Sequence, residues 1–319
     1  MTQVLPGLEV AGYQPHALHS PARDWPQTNC YTDVWIEVLH SSGLPPEAGL
    51  GFTVTQDFEG DQFTFFKFPL EDLESLYQIR VQELSVFDGL ESHVACQIAR
   101  GNLCLVEVDG YYLPDTAGVS WHSEHPKTTI AINRLDRAGR AMDYFHNDGF
   151  FTVSGADFDG IFGHLPHQQN QPERLFPYVE FARFDRKARL DLKVGAQARL
   201  ARHLARAPAG NPVLDWQAVI GTQLRELAEK PPAAFHTYAF NTARQIGANF
   251  ELLAAHLDWL GGHETASNAA KALSSHAKSL QFQLARAVTR RRFDGIETQV
   301  AALADHYAAM RSALRQSVK

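Results

Sequence analysis

Residues in one chain order suggest covalent chemistry: Cys30, then His125, then Asn147 or Asp143. A thiol is a poor nucleophile until it becomes a thiolate, and a helix N-terminus supplies unpaired N–H groups and partial positive charge that favour the anion. Thr28 and Asn29 are good caps directly before the run Cys30 to His40. That run places Val34, Trp35, Val38 and Leu39 on one face and closes at Gly43, with Pro45 and Pro46 behind it. Cys30 is therefore expected in a first helical turn. A catalytic thiol needs a base, and His125 stands just before the strand-like run Thr128 to Ile132. A third group must orient the imidazole. Asp136 to Gly139 reads as a hairpin connection, so Ala141 to Phe145 returns antiparallel and brings Asn147 nearly opposite the start of the first strand, with Asp143 deeper. Both stay open as the third member: Asn147 fits strand pairing, to which we give slight preference, and Asp143 fits by residue type. Cys96 and Cys104 fall in an apolar helix and a strand and are read as packing.

Other residues offer rival chemistry. His122 and His125 are spaced H-x-x-H, and His146 with Asp143 could approach them across the hairpin, a set that can hold zinc. Two His three apart on a loop rarely converge unaided, and 15 His in the chain make some clustering expected by chance, so no metal is assigned. Asp57, Glu59 and Asp61 resemble the start of a calcium loop, but Gln62 stands where Gly is needed and Phe68 where Glu is needed. The run His236 to Gly247 puts His236, Phe240 and Ala243 on one helical face and Tyr238, Asn241 and Gln245 on a neighbouring one. We take His236, Tyr238 and Arg244 as candidate substrate contacts, Arg244 being able to pair with a carboxylate or phosphate, and add Tyr112 and Asp115 from the loop before His125. An interdomain helix making ordinary buried hydrogen bonds is the plainer explanation of the first three. Arg290-Arg291-Arg292 is a short basic run that normally caps a helix or faces solvent, and could attract an acidic carrier protein.

These residues need elements to position them. The 319 residues are enough for one large domain or two modest ones, and 45% are apolar. Charged residues make up 20%, with 29 Lys and Arg against 36 Asp and Glu and no long block of one sign. No concentrated basic surface announces nucleic-acid binding. Apolar runs such as Leu103 to Val106 stop far short of the roughly 20 residues that cross a bilayer. The first ten residues lack secretory features, so the expected location is the cytoplasm. Three cysteines without paired spacing argue against a disulfide framework. Residues 1 to 29 read as an irregular lead-in. Phe52 to Phe68 reads as extended structure or a packed loop, with short helices near Leu70 to Tyr77 and Leu90 to Arg100. Strands are expected at Leu103 to Val108, Thr128 to Ile132, Ala141 to Phe145 and Phe150 to Val153. Helices follow near 190–206, 213–229, 233–260, 264–289 and 293–316, separated by Pro and Gly signals. The expected class is α+β: a first domain over 1–185, joined through Pro166 to Phe184 to a helical domain over 186–319.

A helix-borne Cys followed by a strand-borne His and then Asn or Asp is the chain order of the papain-like cysteine fold. Asn29-Cys30, Gly49-Leu50-Gly51-Phe52, the run Val106 to Pro114 and His125 resemble the N-terminal half of butirosin-type acyltransferases. Those enzymes move an acyl group from a carrier-protein thioester to an amine. Over nearly its whole length the chain resembles bacterial domain-of-unknown-function family 1839, through Thr28 to Tyr31, Asp57 to Asp61, Thr64 to Lys67, Leu113 to Thr116, His125 to Ile130, Tyr144 to Asn147 and His236 to Gln245. That resemblance implies an acyl carrier protein as partner, with an amino acid ligase for the carrier as pathway neighbour, and no cofactor beyond the carrier's phosphopantetheine arm. The papain-like and butirosin-type resemblance implies an acyl-enzyme on Cys30, with His125 as base and then acid, and a small-molecule or peptide amine as acceptor. Papain-like enzymes usually carry an oxyanion Gln several residues before the Cys. Here Gln27 is three before Cys30, so Gln27, Asn29 or the Cys30 N–H is assigned that role. A non-catalytic carrier-binding scaffold and a cysteine amidase or thioesterase are the alternatives.

Overall fold

The computed structural model describes residues 3–169, 177–185 and 191–318. Positions 170–176 of the expected join between domains lie outside the described residues. The chain forms two compact units: Met1–Ala17, Asn29–Pro46 and Leu70–Arg189 make the first, and Leu18–Thr28, Glu47–Pro69 and Leu190–Lys319 the second. Two stretches of the expected first domain thus belong with the helices. Trp25 shows why: it is 2% exposed, and its indole donates to Ser274 Oγ at 3.0 Å.

The first unit contains α1 (Cys30–Ser41), α2 (Leu70–Tyr77), β1 (Ile79–Glu83), α3 (Leu90–Ala99), β2 (Leu103–Asp109), β3 (Lys127–Asp136), β4 (Ala141–His146), β5 (Gly149–Ser154), α4 (Gly155–Phe162), α5 (Pro166–Gln169) and β6 (Val179–Phe184). Its strands form one antiparallel sheet in the order β1-β6-β2-β3-β4-β5. β2 and β3 are the apolar centre, with Leu103, Cys104, Val106, Ile130, Ala131 and Ile132 inaccessible to solvent. The expected hairpin forms, pairing Ala131 with Phe145 and Asp136 with Ala141. α1 lies on β3, β4 and β5 and buries Val34, Trp35, Val38 and Leu39 fully, as its spacing predicts. β1, β6 and α4 are additions. β6 lies inside the segment expected to join the domains, yet it is an interior strand between β1 and β2.

The second unit contains α6 (Leu192–Arg206), α7 (Pro212–Leu227), α8 (Ala233–Asn241), α9 (Ala243–Leu260), α10 (Glu264–Arg290) and α11 (Ile296–Ser317). α7, α9, α10 and α11 pack around Trp216, Leu253, Leu273, Leu280 and Tyr307. The single helix expected over 233–260 is two. At Thr242 the backbone leaves helical values (φ −123°, ψ −96°), and the Thr242 hydroxyl donates to the Tyr238 carbonyl at 2.7 Å. The Phe52 to Phe68 stretch is a packed loop rather than a strand: a 3₁₀ run over Pro46–Thr55, then a single bridge between Phe58 and Phe63. Among the described residues no helix is long and apolar enough to cross a membrane.

Candidate functional site

Cys30 is the first residue of α1. Asn29 is its N-cap in extended backbone, with Oδ1 accepting from the Thr32 N–H at 3.0 Å and the Asn29 carbonyl accepting from the Asp33 N–H at 2.9 Å. The thiol is half-buried and donates weakly to Thr129 Oγ1 of β3 at 3.7 Å. Beside it Tyr31, the next residue of α1, donates to Glu180 at 2.7 Å, and Tyr178 donates to the other oxygen of the same carboxylate at 2.7 Å. Burial, and then the Glu180 charge, raises the Tyr31 phenol above its ordinary value, so it stays a donor. Of the other cysteines, Cys104 is buried and burial pushes its thiol up to about 12, which fits packing. Cys96 is exposed on α3, so its expected packing role does not hold.

His125 lies two residues before β3. Its Nδ1 meets Asp109 Oδ2 at 2.7 Å, its ring stacks on Tyr111 at 4.4 Å and 6°, and Asp109 Oδ1 accepts from the Tyr111 N–H at 3.0 Å. One carboxylate at the end of β2 therefore fixes both the imidazole and the aromatic plate beneath it. The side chain of His125 is 66% exposed and its Nε2 makes no hydrogen bond among the described residues. With Nδ1–H given to a carboxylate, the free nitrogen has the lone pair a general base needs. The ring borders a cleft of about 390 Å³ lined also by Glu107, Asp109, Lys127, Ile161 and Gln168.

Neither residue expected to hold this ring meets it. Asp143 forms an ion pair with Arg134 and accepts from Thr152 Oγ1 at 2.6 Å. Asn147 occupies the β4–β5 turn with φ 46°, a left-handed position that Asn tolerates, and does not meet His125. The carboxylate that does meet the ring is Asp109, two residues before Tyr111, which sequence reasoning missed; its pairing across β2 and β3, opposite Lys127, is what could have found it. Cys30 and His125 do not touch. Thr129 is four residues beyond His125, roughly 13 Å of extended chain at about 3.3 Å per residue.

A second cluster lies in the same unit. His146, 1% exposed, meets Thr128 Oγ1 through Nε2 at 2.8 Å and Asp115 through Nδ1 at 2.6 Å, while Tyr144 donates to the other Asp115 oxygen at 2.5 Å. Burial and the Asp115 charge raise the Tyr144 phenol above its ordinary value. Asp115 is thereby held as a tie between its loop and the sheet. Tyr112 is buried against Gly160, where an added Cβ would meet its ring at 2.2 Å. The histidines of the zinc reading each find a separate carboxylate: His122 with Asp157 at 2.7 Å, His125 with Asp109, His146 with Asp115. Among the described residues no group of three or more His, Cys, Asp or Glu side chains comes together to hold a metal.

The remaining candidates are in the second unit. Arg244 donates to the Gln27 carbonyl at 2.7 Å and lies over the Phe240 ring at 5.0 Å. Tyr238 accepts from the Trp216 indole at 3.1 Å and donates to Gln223 at 2.9 Å, and His236 is exposed. Asn241 and Gln245, with Glu59, Gln62, Phe63 and Phe65, line a cleft of about 310 Å³.

Residues 14–184 match a family model described as the DUF1839 N-terminal domain, and residues 190–316 match the DUF1839 C-terminal domain. The chain belongs to the DUF1839 family. The DUF1839 division between 184 and 190 falls where β6 ends and the helices begin. No curated protein matches the sequence.

Proposed function

We propose that this DUF1839 protein is a cysteine-dependent acyltransferase whose first unit is built on the papain-like plan. Cys30 attacks the carbonyl of an acyl or aminoacyl thioester on the phosphopantetheine arm of a carrier protein, forming an acyl-enzyme thioester and releasing the carrier thiol. An amine acceptor then attacks the acyl-enzyme, giving an amide and restoring the Cys30 thiol. His125 takes the Cys30 proton through Nε2, gives it to the departing carrier sulfur, and takes a proton from the incoming amine. Asp109 orients the ring in both steps. The Cys30 N–H, with Asn29 at the N-cap of α1, is the proposed oxyanion donor set.

The observation that carries this reading is the His125–Asp109 pair, with Nδ1 fixed and Nε2 open to a cleft at the head of β3, the strand whose Thr129 contacts the Cys30 thiol. This reading requires His125 and Cys30, which do not touch in this structure, to come together when the thioester is bound. The family resemblance supplies the carrier thioester as substrate class. A second reading, a carrier-binding scaffold without turnover, is favoured by the absence of Cys30 from the lining of the 390 Å³ cleft. Release of carrier thiol from aminoacyl-carrier protein separates the two: Cys30→Ala should abolish it and His125→Ala should slow it at least about a hundredfold. Equal slow release by all three proteins would favour the scaffold. Amide rather than free acid as product separates transferase from amidase or thioesterase.

A further inference from the structure

We propose that the second unit carries an anion-binding cleft for a phosphate-bearing ligand, between the end of α10 and the start of α11. The cleft is about 310 Å³, within the lower range of ligand pockets. Gln283, Arg286 and Arg290 recur along α10 at spacings of three and four, which places them on one helical face, and Arg292 and Gln299 complete the polar lining with Asp294. Among the described residues no carboxylate meets Arg286, Arg290 or Arg292. Their neighbour Arg291 behaves differently: it pairs with Glu229 at 2.9 Å, donates to the Ala228 carbonyl at 3.1 Å, and ends α10 in the left-handed conformation. Of the run Arg290 to Arg292, Arg291 ties the helix end down, while Arg290 and Arg292 line a space shared with Arg286.

α11 contributes from the other side. It is a 22-residue helix that starts at Ile296 behind an N-cap glycine, Gly295, which offers no side-chain cap, and the N–H groups of Glu297 and Thr298 have no acceptor among the described residues. Open amides and guanidinium forks are the donors that match phosphate oxygens in number and direction. Asp294 reduces the local positive charge by one and leaves a surplus, in a chain whose formal net charge is −7. General attraction of anions to the whole chain therefore cannot substitute for this cleft.

The test is calorimetric titration of the full chain with pyrophosphate at fixed ionic strength, beside sulfate and chloride, for wild type, R286Q/R290Q and R291Q. Saturable pyrophosphate binding, weakened at least about tenfold in R286Q/R290Q and nearly unchanged in R291Q, is expected. Adenosine monophosphate and pantetheine 4′-phosphate, titrated in parallel, distinguish a nucleotide from a pantetheine source of the same phosphate. If R286Q/R290Q does not fold, the wild-type melting temperature should still rise with pyrophosphate more than with sodium chloride of equal ionic strength. Binding no tighter than chloride, or undiminished binding by a folded R286Q/R290Q, would overturn the proposal and leave the arginines as complements to the α10 dipole.

Discussion

At His125 the ring nitrogen nearest the protein is occupied and the outer one is open. Asp109→Asn keeps the shape but offers an amide in place of a carboxylate, so the ring loses its enforced tautomer. We expect carrier-thiol release to fall about a hundredfold or more, with little change in melting temperature because the pair is exposed. Asp115 makes the contrasting case. Its carboxylate is buried between His146 and Tyr144, so Asp115→Ala strands two buried polar groups and should cost about 3 kcal/mol of stability, read as a lower denaturant midpoint. If Asp115→Ala instead left stability intact and removed turnover, the roles given to these two carboxylates would need to be exchanged. The Cys30 position was legible because cap residues and an amphipathic run stand side by side in sequence. The orienting Asp109 was not, because strand register rather than sequence order brings it to His125.

Single elements explain the other departures. The Gly-ended α3, the β3–β4 hairpin and most helices carry local stop signals and were legible. β1 has only five residues and one partner, β6, whose own residues lie far along the chain, so no local pattern reveals either. The break at Thr242 depends on one hydroxyl bonding back to its own helix, which periodicity does not register. α9 then begins a tight approach: a Cβ on Gly247 would come within 2.4 Å of the Trp25 ring, so Gly247→Ala should destabilise by about 1–3 kcal/mol by overpacking, despite its better helix propensity. On α10 and just before it, burial lowers the values of His276 and His263 from 6.5. Both rings bind fewer protons folded than unfolded, so unfolding takes up protons and stability should fall as pH drops through about 6.5. Urea midpoints at pH 7.5 and 5.5 check this; the double variant His263→Gln/His276→Gln should show a shallower decline.

The whole molecule is two units whose second is assembled from three separate stretches of chain. Cutting at the family boundary would leave Leu18–Thr28 and Glu47–Pro69 without the helices they belong to, exposing Trp25, Phe52 and Phe63, each buried in the intact chain. A fragment of residues 1–189 should therefore bind a hydrophobic dye and lack a cooperative melt, whereas a sharp two-state transition would show the first unit to be self-sufficient. Such interleaving is invisible to composition, because aromatic residues of both cores alternate along the first seventy positions. The most direct test of covalent acyl transfer uses the full chain: intact mass after mixing with an aminoacyl-carrier thioester, for wild type and Cys30→Ala. An added acyl mass on the wild type, absent from Cys30→Ala and discharged by an amine, is the predicted result; no adduct together with an intact thioester, across a panel of acyl groups, would contradict it.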